Sequence, residues 1–216
     1  MTTAALKHNN LPLLLPVTLL LWFLLILGLS MKQFFITEQG VPPFNLLMTG
    51  GISLSAFFIA YWLIPQFRDY VLNIDMRLLI LLHSWRTLGL GFIMLYYVGE
   101  LPALFSFLAG FGDAIVAFSA VFLTYAMFTN KKGVSKKTVW RWNTFGLLDF
   151  IIAVGIGVLT RTDAILFQSN GISSDLMTQF PLALVPAFLV QIFTLSHIII
   201  YLQLKNKHQN RNTIRF

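Results

Sequence analysis

The stretch Arg77–Phe128 reads RLLILLHSWRTLGLGFIMLYYVGELPALFSFLAGFGDAIVAFSAVFLTYAMF. Two long apolar runs are parted by Val98-Gly99-Glu100-Leu101-Pro102, and past Arg77 the only formal charges inside the runs are Arg86 and Asp113. At about 1.5 Å per residue, runs of this length cross a hydrocarbon layer of about 30 Å. No water is available there to the backbone, so each segment must satisfy its own N–H and C=O groups as a helix. The short polar link makes the pair an antiparallel hairpin. Pro102 suits the first turn of the second helix, where its missing N–H costs nothing.

The same pattern recurs outward from this hairpin. Apolar spans are expected at about 11–30, 44–64, 77–98, 101–128, 142–160 and 181–203. The chain therefore reads as all-α, a polytopic transmembrane helix bundle of about six spans. Residues 1–204 form one bundle and 205–216 a basic tail, polar enough to stay disordered. Composition agrees: 57% of the residues are hydrophobic and 11% charged, against about 25% charged in soluble domains. The roughly ten-residue alternation of an outer-membrane barrel is absent. The chain has no cysteine, which excludes disulfides and thiolate metal sites.

The net charge of +7 does not imply nucleic acid, because the basic residues flank the apolar runs as topology signals and contacts for anionic lipid head groups. With the N-terminus inside, the inner segments hold Lys7, Arg68, Arg77, Lys131, Lys132, Lys136, Lys137, Arg141, Lys205, Lys207, Arg211 and Arg215, twelve in all, and the outer ones only Lys32 and Arg161. That asymmetry predicts both termini on the cytoplasmic side. The first run also follows a lone Lys7 and ends in Gly28-Leu29-Ser30, features shared with a signal peptide. Its apolar stretch exceeds the 7–15 residues of such a segment, which favours a retained span; cleavage would leave five spans. The segment 161–180 is expected as an external loop carrying Asp163 and Asp175, with a turn at Asn170-Gly171.

Charges halfway through a bilayer cost roughly 2.5–3.5 kcal/mol each on insertion scales. Arg86, Asp113 and Asp149 lie there, so they are expected to face the bundle interior and meet partners. In a hairpin centred near Gly99-Glu100, residues at equal depth have numbers summing to about 199, which Arg86 and Asp113 do. A guanidinium forks well onto a carboxylate in a dry setting, and this contact is the expected pair. Asp149 has no equally placed arginine. Ser106, Ala109, Gly110, Asp113, Ala117, Ala120 and Thr124 form one small-residue stripe, as do Trp142, Gly146, Asp149, Ala153, Gly157 and Thr160; such faces let helix backbones approach closely in lipid.

His83 lies one turn before Arg86. His197 belongs to a polar stripe with Gln191, Thr194 and Tyr201, beyond a kink expected at Pro186. These supporting residues admit two readings: each histidine hydrogen-bonds a neighbouring helix, or the two hold a haem from opposite sides. Asn45, Thr49 and Ser53 recur every four residues on the second span, which helix packing explains as well as a pathway would. Gly89-Leu90-Gly91 is read as helix packing. No phosphate loop, zinc spacing or nucleophile elbow is present, so neither a metal site nor a cofactor is expected.

Three motifs carry a family resemblance: Arg86-Thr87-Leu88-Gly89, then Leu101-Pro102 leading to Ala109-Gly110-Phe111-Gly112-Asp113, and Arg141-Trp142-Asn143 with Gly146-Leu147-Leu148-Asp149. Over residues 83–160 the chain resembles a family of small bacterial polytopic membrane proteins generally described as hypothetical. The resemblance implies a bacterial inner-membrane location and a shared role for Arg86, Asp113 and Asp149, and carries no activity.

Two functions are compatible with these residues. One is a small-solute or proton-coupled transporter: one arginine and two aspartates leave an excess negative charge that a proton can remove, with Asp149 its candidate carrier. The other is a non-catalytic subunit, scaffold or sensor whose buried ion pair fixes helix packing. A membrane enzyme is disfavoured, since no nucleophile, base and metal constellation is present. The expected partners are the lipid bilayer and its anionic head groups, not nucleic acid. A small-molecule or ion ligand and an oligomer are both compatible with the sequence.

Overall fold

A computed structural model describes residues 11–38, 41–130, 133–166, 171–206 and 213–214. Lys7, Lys131, Lys132, Lys207, Arg211, Arg215 and Asn170, and with them much of the expected tail and orientation signal, lie outside the described residues. The described chain is helical: α1 (Leu11–Met31), α2 (Phe44–Leu63), α3 (Pro65–Asn73), α4 (Met76–Leu82), a 3-10 helix (His83–Gly89), α5 (Leu90–Tyr97), α6 (Ala103–Thr129), α7 (Lys136–Leu159), a second 3-10 helix (Ser174–Thr178), a π-helix (Val185–Leu189) and α8 (Val190–Lys205). Two short strands, β1 (Val134–Ser135) and β2 (Thr213–Ile214), pair antiparallel; a stretch of the tail expected to be disordered is thus paired to the link before α7.

Among the described residues, five helical segments are long and apolar enough to cross a membrane: Phe44–Leu63, Met76–Tyr97, Ala103–Thr129, Lys136–Leu159 and Val185–Lys205. Leu15–Met31 is a shorter apolar helix. Large apolar side chains cover the outside of the bundle, among them Leu20, Trp62, Trp85, Phe122 and Ile151, all more than half exposed, an outer surface suited to lipid rather than water.

Several elements depart from the expected spans. Pro102 stands at the N-cap of α6, one residue before the helix, while Gly99 closes α5 in the left-handed region at φ 81°, which glycine adopts without strain. Its amide donates to the Tyr96 carbonyl and that of Glu100 to Leu95. α7 begins at Lys136, six residues before the expected start, because its first turns carry Lys136, Lys137 and Arg141 outside the apolar stretch. The kink expected at Pro186 is a π-turn, and the Gln191 side-chain amide donates to the Pro186 carbonyl at 3.0 Å. The short helix α3, with Pro65 in its first turn, was not expected.

Interhelix packing follows the small-residue stripe of α6, where Ser106, Ala109, Gly110, Ala117, Ala120 and Thr124 are all buried. Side-chain amides and hydroxyls tie the helices together as polar groups do in lipid. Gln203 donates to the carbonyls of Val71 and Ile74, Ser196 to Leu79, and Trp142 to the Ser119 hydroxyl. The third expected span is interrupted: Arg86 sits in the 3-10 segment. At three residues per turn, positions i and i+3 eclipse, so His83, Arg86 and Gly89 stack on one face, and those three are the buried residues of the segment.

Candidate functional site, an arginine between two aspartates

The buried 3-10 face turns Arg86 toward α6 and α7. Its Nε donates to Asp113 Oδ1 at 2.7 Å, and its Nη2 donates to Asp149 Oδ2. Nη1 reaches both the Gly146 carbonyl and His197 Nε2, each at 3.3 Å. The Phe150 ring lies under the guanidinium, 3.7 Å from its carbon, adding a cation–π contact. Arg86 is 2% exposed. The expected Arg86–Asp113 pair is present, and the reading that left Asp149 without an arginine is corrected: both carboxylates share one guanidinium, through different nitrogens.

Three glycines make room for this. A β-carbon on Gly89 would strike the Asp113 carboxylate, one on Gly112 the Asp149 carboxylate, and one on Gly146 the His197 imidazole. Gly89 is therefore more than general helix packing. It sits one 3-10 turn from Arg86 and lets α6 approach closely enough for the ion pair.

His197 is 0% exposed. Arginine can only donate, so His197 Nε2 accepts from Arg86 and its Nδ1–H donates to Asn143 Oδ1 at 2.8 Å. Asn143 completes the exchange by donating to the His197 carbonyl. His83 stacks on His197 with centroids 3.9 Å apart and touches Trp142 and Phe193. The two rings are in contact, tilted 31° from parallel, whereas the haem reading needs nitrogens facing across a gap. Gln191 and Thr194 are not brought to the cluster: Gln191 serves the π-turn and packs on Gly50, and Thr194, half-buried, has no hydrogen bond to it. Thr49 and Ser53 each bond a carbonyl of their own helix, as packing residues do. Asn143, missed as a site residue, sits one helical turn before Gly146 on α7; its amide on a buried face was the available signal.

The surroundings of the cluster are one-sided. A cleft of about 660 Å³ runs down from the end that carries Arg161 and Ser174, past Leu46, Phe105 and Ala153, to Asp113 and Phe150. A smaller hollow of about 330 Å³ reaches Arg86 past Trp85, Gly89 and Phe193. Toward the opposite end, Ile80, Val116, Ala120, Val139, Trp142 and Ile200 belong to one buried apolar cluster.

At the mouth of the cleft, Arg161 donates through Nη2 to the Thr37 hydroxyl at 2.8 Å and faces Asp175 across 3.0 Å. Asp175 accepts from the amide and hydroxyl of Thr162 and the hydroxyl of Ser173. Burial pushes the Asp175 carboxyl up, but the hydrogen bonds from Thr162 and Ser173 and the charge of Arg161 outweigh it and hold it below the usual range.

The family described as a domain of unknown function (DUF8737) matches residues 43–205, from the start of α2 to the end of α8. No curated protein and no solved structure matches the chain.

Proposed function

The chain belongs to this DUF8737 family, and we propose that it is a polytopic membrane carrier that couples a small solute to a proton through Arg86, Asp113 and Asp149. The observation that carries the reading is a cleft that reaches Asp113 from one side of the cluster, with a buried apolar core on the other. One guanidinium against two carboxylates leaves a single excess negative charge, which one proton cancels. A carboxyl that changes charge within a membrane is the usual element of proton coupling.

In this reading Leu11–Met31 supplies a sixth span, and the positive-inside asymmetry puts both termini in the cytoplasm. The packed side then faces the cytoplasm and the cleft faces outward, the arrangement of a carrier caught at one end of its cycle. Basic residues such as Lys136, Lys137 and Lys205 meet anionic head groups on the inner surface. A bacterial inner membrane is supported by the resemblance of residues 83–160 alone.

The test is proton flux into vesicles containing purified protein, driven by an imposed potential and followed with an internal pH dye. Wild type is expected to carry protons, while Asp149→Asn remains folded and carries none. If Asp149→Asn matches wild type in both melting and flux, the carrier reading fails.

One observation favours a scaffold or sensor instead: each guanidinium nitrogen of Arg86 is partnered and Phe150 covers its face. A purely structural cluster predicts that Asp149→Asn lowers the melting temperature and that wild type conducts no protons.

A further inference from the structure

Among the described residues Arg161 is the other deeply buried arginine, 4% exposed, and the proton-coupling cluster does not use it. It stands at the end of the bundle where basic residues are scarce. Its Nη2 is held by Thr37 and its Nε faces Asp175, but neither Nε nor Nη1 has a hydrogen-bond partner among the described residues. A buried guanidinium nitrogen without an acceptor is costly. This side chain lines both the long apolar cleft and an adjoining hollow of about 550 Å³ formed with Pro42, Val158, Thr162 and Ile165.

The cleft itself is almost wholly apolar, walled by Leu46, Leu47, Phe92, Phe105, Val154 and Val190. Asp149, level with the floor, and Arg161 are twelve positions apart, about 18 Å at helical rise. Half of a hydrocarbon core is about 15 Å. The cleft therefore spans about one leaflet, with the unpartnered Nη1 of Arg161 at head-group height.

We propose that this cleft takes a single-chain lipid with an anionic head group, the acyl chain lying between α2, α7 and the π-turn and the head group bound by Arg161 Nη1. The occupant comes from the surrounding leaflet: several of the lining side chains, Leu47 and Val154 among them, are also exposed on the lipid-facing surface. The inference names the solute class of the carrier and rests on that reading only for movement; binding stands apart from it.

The experiment is binding of radiolabelled palmitate to the purified full chain in neutral detergent, competed with hexadecyl phosphate, hexadecanol or inorganic phosphate. Palmitate is expected to bind one per chain and to be displaced by hexadecyl phosphate, but not by inorganic phosphate. Hexadecanol should compete about tenfold more weakly, and Arg161→Gln should weaken palmitate by a similar factor, as loss of one charge-assisted contact does. Ala153→Phe, which fills the cleft, should abolish binding; Leu47→Trp, at an exposed lining position, does the same work if Ala153→Phe does not fold. No binding by wild type, equal competition by hexadecanol and hexadecyl phosphate, or displacement by inorganic phosphate alone each overturns the proposal. Intact binding with no proton flux would instead remove the carrier reading and leave this site standing.

Discussion

The imidazole rings of His83 and His197 lie 3.9 Å apart, centroid to centroid, with planes 31° from parallel. Their hydrogen bonding is unequal. His197 accepts from Arg86 and donates to Asn143, whereas neither nitrogen of His83 has a partner among the described residues. His83 acts as an aromatic filler between Trp142 and Phe193, and His197 as a buttress of the guanidinium.

That asymmetry predicts opposite mutational effects. His83→Phe keeps the packing and removes two unsatisfied buried atoms, so stability should hold or rise by about 1 kcal/mol. His197→Phe removes one of the two acceptors of Arg86 Nη1 and leaves Asn143 Oδ1 without its donor, and should cost about 1–3 kcal/mol. Thermal unfolding of both variants in one detergent decides it; equal losses would contradict the assignment.

Arg86→Met leaves two carboxylates facing each other without a cation. Breaking a buried pair from one side costs about 3–5 kcal/mol, and the expected result is a sharp fall in folded yield and melting temperature. Adding Asp113→Asn and Asp149→Asn to Arg86→Met should recover most of the loss, since no charge is then stranded. Failure of the triple variant to recover would mean that Arg86 works through something other than these carboxylates.

The glycine contacts predict a position-specific cost for a single methyl group. Gly112→Ala and Gly89→Ala drive a β-carbon into the Asp149 and Asp113 carboxylates, and overpacking of this kind costs about 1–3 kcal/mol. Gly91→Ala meets nothing within 4 Å, so the better helix former should be neutral or slightly stabilising. Comparing the three melting curves tests whether the carboxylates occupy these positions.

Asp175 gives the loop at the cleft mouth an acid sensitivity of defined sign. Its carboxyl is held below its ordinary value in the folded chain. Its contribution is thus complete above the unfolded value of about 3.9 and is lost as pH falls through the lower folded value. Hydrogen exchange at residues 161–166 and 171–178 should be slow from neutral pH down to about 4 and rise below it, after correction for intrinsic rates. Asp175→Asn should exchange fast throughout and show no such rise.

The ion pair was legible in the sequence because the hairpin link is short. A five-residue turn fixes the depth of both helices, so the numbering of Arg86 and Asp113 alone brought them level. The same arithmetic would have found Asp149. Asp113 and Asp149 sum to 262, close to twice the centre of the link between α6 and α7, but the late start assigned to α7 obscured that register. The 3-10 winding was not legible. His83-Ser84-Trp85-Arg86-Thr87-Leu88-Gly89 contains no proline, and what selects three residues per turn is the burial of His83, Arg86 and Gly89 against α6 and α8, a tertiary demand. The Arg161 site was hidden for a related reason: counted as one of two outer basic residues, Arg161 reads as surface until the Thr37 and Asp175 segments fold over it.

The seven residues of that tight winding also set a measurable lever. At about 2.0 Å per residue they extend about 14 Å, against about 10.5 Å for the same stretch wound as an α-helix. Rewinding would draw α4 and α5 together by about 3.5 Å and rotate Arg86 by about 60° relative to Gly89, since three steps of about 120° become three of about 100°. Any shift of pitch in this one segment therefore moves the guanidinium off both its anions while the ends of the hairpin keep their membrane depth to within a single turn.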